Sequence, residues 1–383
     1  MNVLMLNYEF PPIGGGGGQA HRSLLRQYAQ RDGLAVDVLT SAPSPGFVTE
    51  EFSSNITIHK VGLHKKRLHH WRKVEVLEWL HRAKAPYRRL LRENQYDLVH
   101  AFFGFPTGWL CCRTAGRLPY VISLRGSDVP GGNARLQLEY KLLGPLVFKP
   151  IWKRAAALVA CSEGLKARAL RFMPTAQIDV IPNGVDLERF HPAAAAPGND
   201  ADQSGSRPLR LLTVGRLSTT KRLSLLIEAV ERLREAGSDV SLTIVGGGAL
   251  EGEIRQTLDQ KDLRRLVTLK GRVHAEDMPE IYRTHDLLVS ASAQEGMSNA
   301  MLEAMASGLP IVTTRCEGVD ELIADNGLVV DDPQPAALAK AIASLIGDRP
   351  VLDAMSGAAR RQVEKLTWDA VAQAYLKLYG RVK

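Results

Sequence analysis

The sequence predicts an α/β protein made of two doubly wound, Rossmann-like domains, and three observations point to it. Short β-rich runs alternate with longer helical patterns from end to end. Many of these runs are nearly continuous apolar stretches, as expected of parallel strands covered by helices on both faces. The length of 383 residues exceeds what one ordinary core organises, so two domains are expected.

In chain order, the first half offers strands at Val3–Leu6, Val36–Thr40, Ile56–Val61, Leu98–Phe102, Tyr120–Leu124, Leu158–Cys161 and Ile178–Ile181. The second half offers Leu209–Val214, Ser241–Val245, Val267–Lys270, Leu287–Ser290, Ile311–Thr313 and Leu328–Val330. Between the two series, Pro192 to Pro208 has no periodicity and almost no large apolar residue, which marks a linker over 191–208. The first domain then covers 1–190 and the second 209–366. Two such halves would leave a cleft between facing strand ends, where ligands commonly bind. Asp200-Ala201-Asp202 matches the Asp-x-Asp of metal-dependent sugar transfer, but it falls in the linker with no strand to fix it.

Nothing near 18 consecutive apolar residues occurs, which argues against a membrane span. The start Met1-Asn2-Val3-Leu4-Met5-Leu6 reads as a buried strand rather than a signal peptide. Cys111 and Cys112 are adjacent while Cys161 and Cys316 are isolated, a spacing that suits neither a metal site nor a disulfide framework. A reducing cytoplasm is the expected location. The formal charge of +8 is concentrated: residues 60–92 hold 11 basic against 2 acidic residues, or +9. Trp71, Leu77, Trp79, Leu80, Tyr87 and Leu90 interleave with that charge. The mixture suits a basic amphipathic helix on anionic lipid, or a solvated helix with an ordinary core stripe. No nucleic-acid recognition module accompanies it, so nucleic acid is not expected as a partner.

Chemistry is written at the ends of the predicted strands. After Leu287–Ser290, Glu295 and Glu303 bracket a loop and the start of a helix. Backbone N–H groups there suit an anion, and carboxylates on either side can accept hydrogen bonds from sugar hydroxyls. Either glutamate alone would pass as a solvated residue. Gly215-Arg216 and Lys221 follow Leu209–Val214, so a guanidinium able to grip phosphate in a fork and a compact ammonium flank a turn. They suit a diphosphate, or cap the next helix. Gly246-Gly247-Gly248 and the run Gly14 to Gly18 permit close approach of a ligand to the backbone. The latter lacks the dinucleotide fingerprint, because Gln19 stands where its last glycine belongs. Arg125-Gly126-Ser127-Asp128 follows Tyr120–Leu124; Asp128 can orient an acceptor hydroxyl or simply begin a turn. His100 reads as a packed core histidine.

Taken together, Gly16-Gly17, Arg125 to Asp128, Ile181-Pro182-Asn183-Gly184-Val185-Asp186, Gly215-Arg216 with Lys221, and Glu295 to Glu303 continuing to Pro310 resemble the retaining glycosyltransferase family 4. The resemblance spans almost the whole chain. It implies the GT-B fold, two Rossmann-like domains facing each other across a cleft, with nucleotide-sugar in the second and acceptor in the first. It also implies that a last helix, 367–383, crosses back to the first domain. Arg216 and Lys221 would neutralise the donor diphosphate, Glu303 would hold the ribose hydroxyls, and Glu295 would bind the transferred sugar. Gly296, Met297, Ser298 and Asn299 would supply N–H donors. Gly16, Gly17, Gly215 and Gly247 would line the donor, and Arg272 with Val273 would lie near the base. Arg125 departs from the histidine that many members carry near the reacting centre, which bears on the sugar transferred.

The implied reaction is metal-independent, retaining transfer of a hexose-type sugar, needing no cofactor. The donor is a UDP-sugar by family frequency, and the acceptor is a saccharide or lipid-linked glycan, with the protein cytoplasmic and peripheral to the inner face of the membrane. Two other readings fit the same residues: a nucleotide-sugar-binding partner subunit without transfer activity, and a GT-B epimerase or phosphorylase.

Overall fold

The computed structural model describes residues 1–131, 137–193 and 207–383. They divide into two compact units, one formed by Met1–Gly184 with Trp368–Lys383 and the other by Val185–Thr367. The first unit thus ends at Gly184 rather than at 190. Val185 already belongs to the second: its N–H donates to the Leu366 carbonyl at 2.8 Å and it bridges Thr367. Phe190 follows it, packing edge-on against Tyr282 at 5.8 Å between ring centroids. Residues 194–206 of the expected linker, Asp200-Ala201-Asp202 included, lie outside the described residues.

Unit 1 carries strands β1 (Asn2–Leu6), β2 (Ala35–Ala42), β3 (Phe47–Ser53), β4 (Ile56–Gly62), β5 (Leu98–Phe102), β6 (Tyr120–Leu124), β7 (Ala157–Ala160) and β8 (Ile178–Val180). They form one sheet in the order β3-β4-β2-β1-β5-β6-β7-β8. Every pairing is parallel except that of β3, which runs antiparallel to β4. The chain builds from β1 towards β4, then returns to lay β5 on the other side of β1. That reversal opens a crevice at the carboxyl ends of β1 and β5, where the glycine-rich loop sits. The apolar runs behave as their composition requires: β5 and β6 are buried at every position.

Within residues 60–92 the helix Lys73–Glu93 carries a core stripe, in which Trp79, Leu80, Ala83, Tyr87 and Leu90 turn inward. Much of the charge is also paired. Lys65 and Arg72 both reach Glu75 at 2.9 Å, Arg82 reaches Glu78 at 3.0 Å, and Lys60 reaches Glu50 at 2.5 Å. The Lys65 and Glu75 side chains are each only 1% exposed. Burial raises the Glu75 carboxyl, but hydrogen bonds from Lys65, Arg72 and backbone N–H groups hold it at about 2. What remains outward on this helix includes Val74, Leu77, Lys84 and Arg88.

The helix Trp368–Val382 lies in unit 1, against the helix Gly16–Tyr28. Tyr379 accepts a hydrogen bond from Tyr28 Oη at 3.1 Å and meets His100 Nδ1 at 2.5 Å. Ser123 Oγ lies 2.7 Å from His100 Nε2 and 2.6 Å from Tyr375 Oη. His100 is therefore a satisfied core residue. Burial, aided by the charge of nearby Arg125, pushes its imidazole well below the usual histidine range. Cys111, Cys112 and Cys161 are buried free thiols.

Unit 2 carries β9 (Leu209–Val214), β10 (Val240–Val245), β11 (Val267–Gly271), β12 (Leu287–Ser290), β13 (Ile311–Thr314) and β14 (Gly327–Val330) in one sheet. Its order, β11-β10-β9-β12-β13-β14, is parallel throughout. Leu211, Leu242, Leu287 and Val312 from four strands join Leu226, Val230 and Leu338 from the covering helices in its core. Burying each such side chain contributes about 1.5–3 kcal/mol. The order reverses between β9 and β12, which marks the crevice at their carboxyl ends as the ligand position. Among the described residues no helix is long and apolar enough to cross a membrane.

Candidate active site

In unit 2, Gly215, Arg216, Lys221 and Glu295 meet at that crevice. A hollow is lined by Thr213, Val214, Gly215, Arg216 and Lys221 from the β9 side and by Ser290, Ala291 and Ser292 from β12. Arg216 is exposed. Lys221, in a short 3-10 turn after β9, forms an ion pair with Glu295. Both side chains of that pair keep some solvent contact, at 22% and 17% exposure. Ser292 Oγ donates to the same Glu295 oxygen at 3.0 Å, and Glu317 Oε2 accepts the Glu295 N–H at 3.1 Å.

The turn that carries Lys221 is held by its neighbour. Arg222 adopts a left-handed backbone, φ +45°, which an arginine rarely takes. Its guanidinium compensates by binding the ends of two strands. Nε donates to the Ala291 carbonyl at 2.7 Å, and Nη2 donates to the Ser292 carbonyl at 3.2 Å and to Thr314 Oγ1 at 3.0 Å. The Ala293 N–H also donates to the Thr220 carbonyl at 2.8 Å. The loops after β9, β12 and β13 are thereby locked as one frame.

Beyond Glu295, Ser298 caps the helix Asn299–Ala306 by accepting the Met301 N–H at 3.4 Å. Gly296 and Met297 lie in the loop leading to that cap, and Asn299 opens the helix. One turn on, Glu303 accepts a hydrogen bond from Tyr282 Oη at 2.8 Å. Burial pushes the Glu303 carboxyl up to about 7, against the Tyr282 hydrogen bond and the charge of Arg189. On the other side of β9, a Cβ on Gly246 would lie 1.8 Å from the Gly215 carbonyl oxygen, so no other residue fits there. A Cβ on Gly247 would lie 2.8 Å from Arg272 Nε, which places Arg272 over the β10 turn. Val273 follows it at the end of β11.

Unit 1 gathers the remaining four predicted residues. Gly16 begins the helix Gly16–Tyr28, and a Cβ on Gly17 would stand 2.8 Å from the ring of Phe103. Arg125, just past β6, donates from Nη2 to Asn183 Oδ1 at 2.6 Å and lies 5.5 Å from the Phe102 ring centroid. Its Nε is buried, with no hydrogen-bond partner among the described residues. Asp128 is buried and uses both oxygens on backbone, accepting Gly104 N–H at 2.7 Å and Arg125 N–H at 2.8 Å. Burial raises its carboxyl while those N–H groups oppose the rise. Its visible work is to lock the turn that presents Arg125.

Four participants escape the sequence reading. Tyr282, Arg222, Ser292 and Glu317 act through contacts that span 21, 69, 3 and 22 positions. Ser292 and Glu317 follow strands, which is a signal of sorts. Tyr282 and Arg222 sit in or beside helices and carry none.

Comparisons with known proteins address the family and the fold. Residues 15–189 match the model described as Glycosyltransferase Family 4, and residues 208–348 the model described as Glycosyl transferases group 1. The chain is 28% identical, over 74% of its length and 76% of the relative's, to a GDP-mannose-dependent alpha-(1-6)-phosphatidylinositol monomannoside mannosyltransferase of Mycobacterium tuberculosis. Among solved structures it is similar to the sucrose-phosphate synthase of Thermosynechococcus elongatus, with a TM-score of 0.80 at 20% identity over 100% of this chain and 98% of that one. It is also similar to HepE of Anabaena in complex with UDP-glucose, with a TM-score of 0.76 at 19% identity over the whole of both chains.

Proposed function

The chain belongs to the family 4, group 1 glycosyltransferases of GT-B fold, and from that premise we propose that it is a retaining, metal-independent transferase. It moves a hexose-type sugar from a nucleotide-sugar, in the first instance a UDP-sugar, to a hydroxyl of a lipid-linked or envelope glycan. The observation that carries this reading is the part-exposed Lys221–Glu295 pair beside exposed Arg216 at the ends of β9 and β12. A diphosphate entering there meets two cations. Lys221 exchanges Glu295 for phosphate oxygens, and the released carboxylate is available to the sugar hydroxyls.

Fixed positive charge at the leaving group stabilises the departing nucleoside diphosphate, a task in which each well-placed donor contributes about 2.7–4 kcal/mol. Gly296 to Asn299 offer N–H groups to the same charge. Glu303 takes the ribose hydroxyls, Arg272 and Val273 border the base, and Gly215 and Gly247 leave room for the donor. Unit 1 takes the acceptor, with Gly16 and Gly17 opening its first helix and Arg125 held ready on its Asn183 and Phe102 supports. The acceptor hydroxyl attacks the anomeric carbon from the face the diphosphate leaves, and a donor phosphate oxygen takes its proton, so configuration is retained. GDP- and UDP-linked donors both occur among the similar proteins, so the base is a matter for assay. The outward residues Val74, Leu77, Lys84 and Arg88 support a peripheral seat on an anionic membrane, with the protein in the cytoplasm.

The test is Lys221→Ala, assayed with a panel of nucleoside diphosphate sugars for donor hydrolysis and transfer. We expect a loss of about a hundredfold or more in kcat with an unchanged melting temperature. Undiminished turnover would defeat the reading.

A further inference from the structure

We propose that the helical segment from Gln137 to Lys153 is a lipid-contacting ridge that inserts leucines into an anionic membrane surface. The segment runs as a helix, Gln137–Leu143, a π-turn, Gly144–Phe148, and a second helix, Lys149–Lys153. Its inward side is well packed. Tyr140, Gly144, Phe148, Ile151 and Trp152 are buried, with Tyr140 and Phe148 4.5 Å apart and Trp152 5.3 Å from Phe172.

Its outward side is not. Leu138, Leu142 and Leu146, four residues apart in turn, are 65%, 63% and 77% exposed, with Leu143 beside them at 44%. Ten large apolar side chains are exposed among the described residues, and four of them fall within residues 138–146. Scattered exposed leucines need no explanation, but a contiguous stripe on a packed helix marks a surface that meets something apolar.

The charge around the stripe identifies what it meets. Lys141 stands between the leucines, Lys153 and Arg154 lie exposed beyond them, and Lys149 is partly exposed. From 137 to 154 there are four basic residues and one acidic residue, Glu139, a net of +3. Aliphatic residues bordered by lysines suit the boundary of an anionic bilayer. The leucines enter the acyl region while the lysine stems lie along it and keep their ammonium groups among the headgroups. A protein partner would instead favour aromatic and arginine anchors at the centre of the contact. The helix Thr107–Cys112 touches both Lys73–Glu93 and Lys149–Lys153, so the outward Val74, Leu77, Lys84 and Arg88 belong to the same helical layer. The proposal deepens the membrane reading above but rests on different side chains, and vesicle binding requires no turnover, so it fails or holds apart from sugar transfer.

The experiment is co-sedimentation of the full chain with vesicles of phosphatidylcholine alone and of phosphatidylcholine mixed with phosphatidylglycerol. The protein is expected to bind the mixed vesicles. Replacing Leu138, Leu142 and Leu146 together by serine should weaken binding about tenfold or more, at unchanged circular dichroism and unchanged molar mass. Lys141→Glu with Lys149→Glu should remove the preference for the anionic lipid. As a milder check, Leu142→Trp should show a blue-shifted, lipid-quenchable emission component on mixed vesicles. The proposal is overturned if the unaltered protein ignores mixed vesicles, or if the serine variant binds them undiminished. It is equally overturned if that variant loses self-association while keeping lipid binding, which would make the ridge a contact between copies.

Discussion

Two lysine–glutamate pairs, one in each unit, show how the same chemistry serves scaffold or site according to its surroundings. In unit 1, Lys65 and Glu75 are 1% exposed, and Glu75 receives further hydrogen bonds from Arg72 and from the Lys66 N–H. Lys65 also sits 3.8 Å from the Trp71 ring centroid. That pair is surrounded and complete. In unit 2, Lys221 and Glu295 stay partly in solvent at the open ends of parallel strands, with exposed Arg216 adjacent. A buried, fully hydrogen-bonded pair cannot change partners without leaving a charge stranded, whereas a partly exposed pair can exchange one carboxylate for a ligand anion.

The sharpest way to break the comparison is to remove one acid from each pair. Glu75→Ala strands Lys65 in the interior and should cost about 3–5 kcal/mol of stability, read by denaturant unfolding. Glu295→Ala should leave the melting temperature nearly unchanged. Equal losses would erase the distinction. The pH dependence has the matching sign: Glu75 is held below its unfolded value, so its contribution is present above about pH 4.5 and is lost as pH falls through about 2.

A smaller effect sharpens the site itself. Glu303 is the reverse case, a carboxyl raised to about 7 by burial. Its stabilising contribution is present below its unfolded value and is lost as pH rises through about 7. Donor binding runs the other way, because ribose hydroxyls donate to the ionised form. The KM for donor should therefore climb by up to about tenfold per pH unit below 7, and Glu303→Gln should flatten that limb. A limb that persists in the variant would assign the titration to another group.

How much of this was legible follows from what each residue touches. Continuous apolar runs such as Leu98–Phe102 declared their strands because both faces are covered, whatever the neighbours. The edge strand β3, Phe-Val-Thr-Glu-Glu-Phe-Ser, went unread: most of it is exposed, so no burial pattern was imposed on its composition. The meeting of Lys221 and Glu295 was legible because each follows a parallel strand, and neighbouring strands bring the residues past their ends together. In residues 60–92 the pattern could not separate a core stripe from a lipid face. Trp79 and Tyr87 proved to be core, since only the sheet beneath them decides the matter.

The smallest expected effect tests the reach of the site. Glu317 stands after β13, and its Oε2 accepts the N–H of Glu295, so it fixes the loop from which the Glu295 side chain meets Lys221. One hydrogen bond to a charged acceptor is worth about 1.5–3 kcal/mol, and part of that is recovered by water at this half-exposed position. Glu317→Ala should therefore lower kcat about tenfold with little change in donor KM. Glu317→Gln keeps a carbonyl acceptor for the same N–H and should restore most of the rate. If glutamine proved as slow as alanine, the negative charge rather than the hydrogen bond would be what matters, and Glu317 would act on the sugar directly instead of through Glu295.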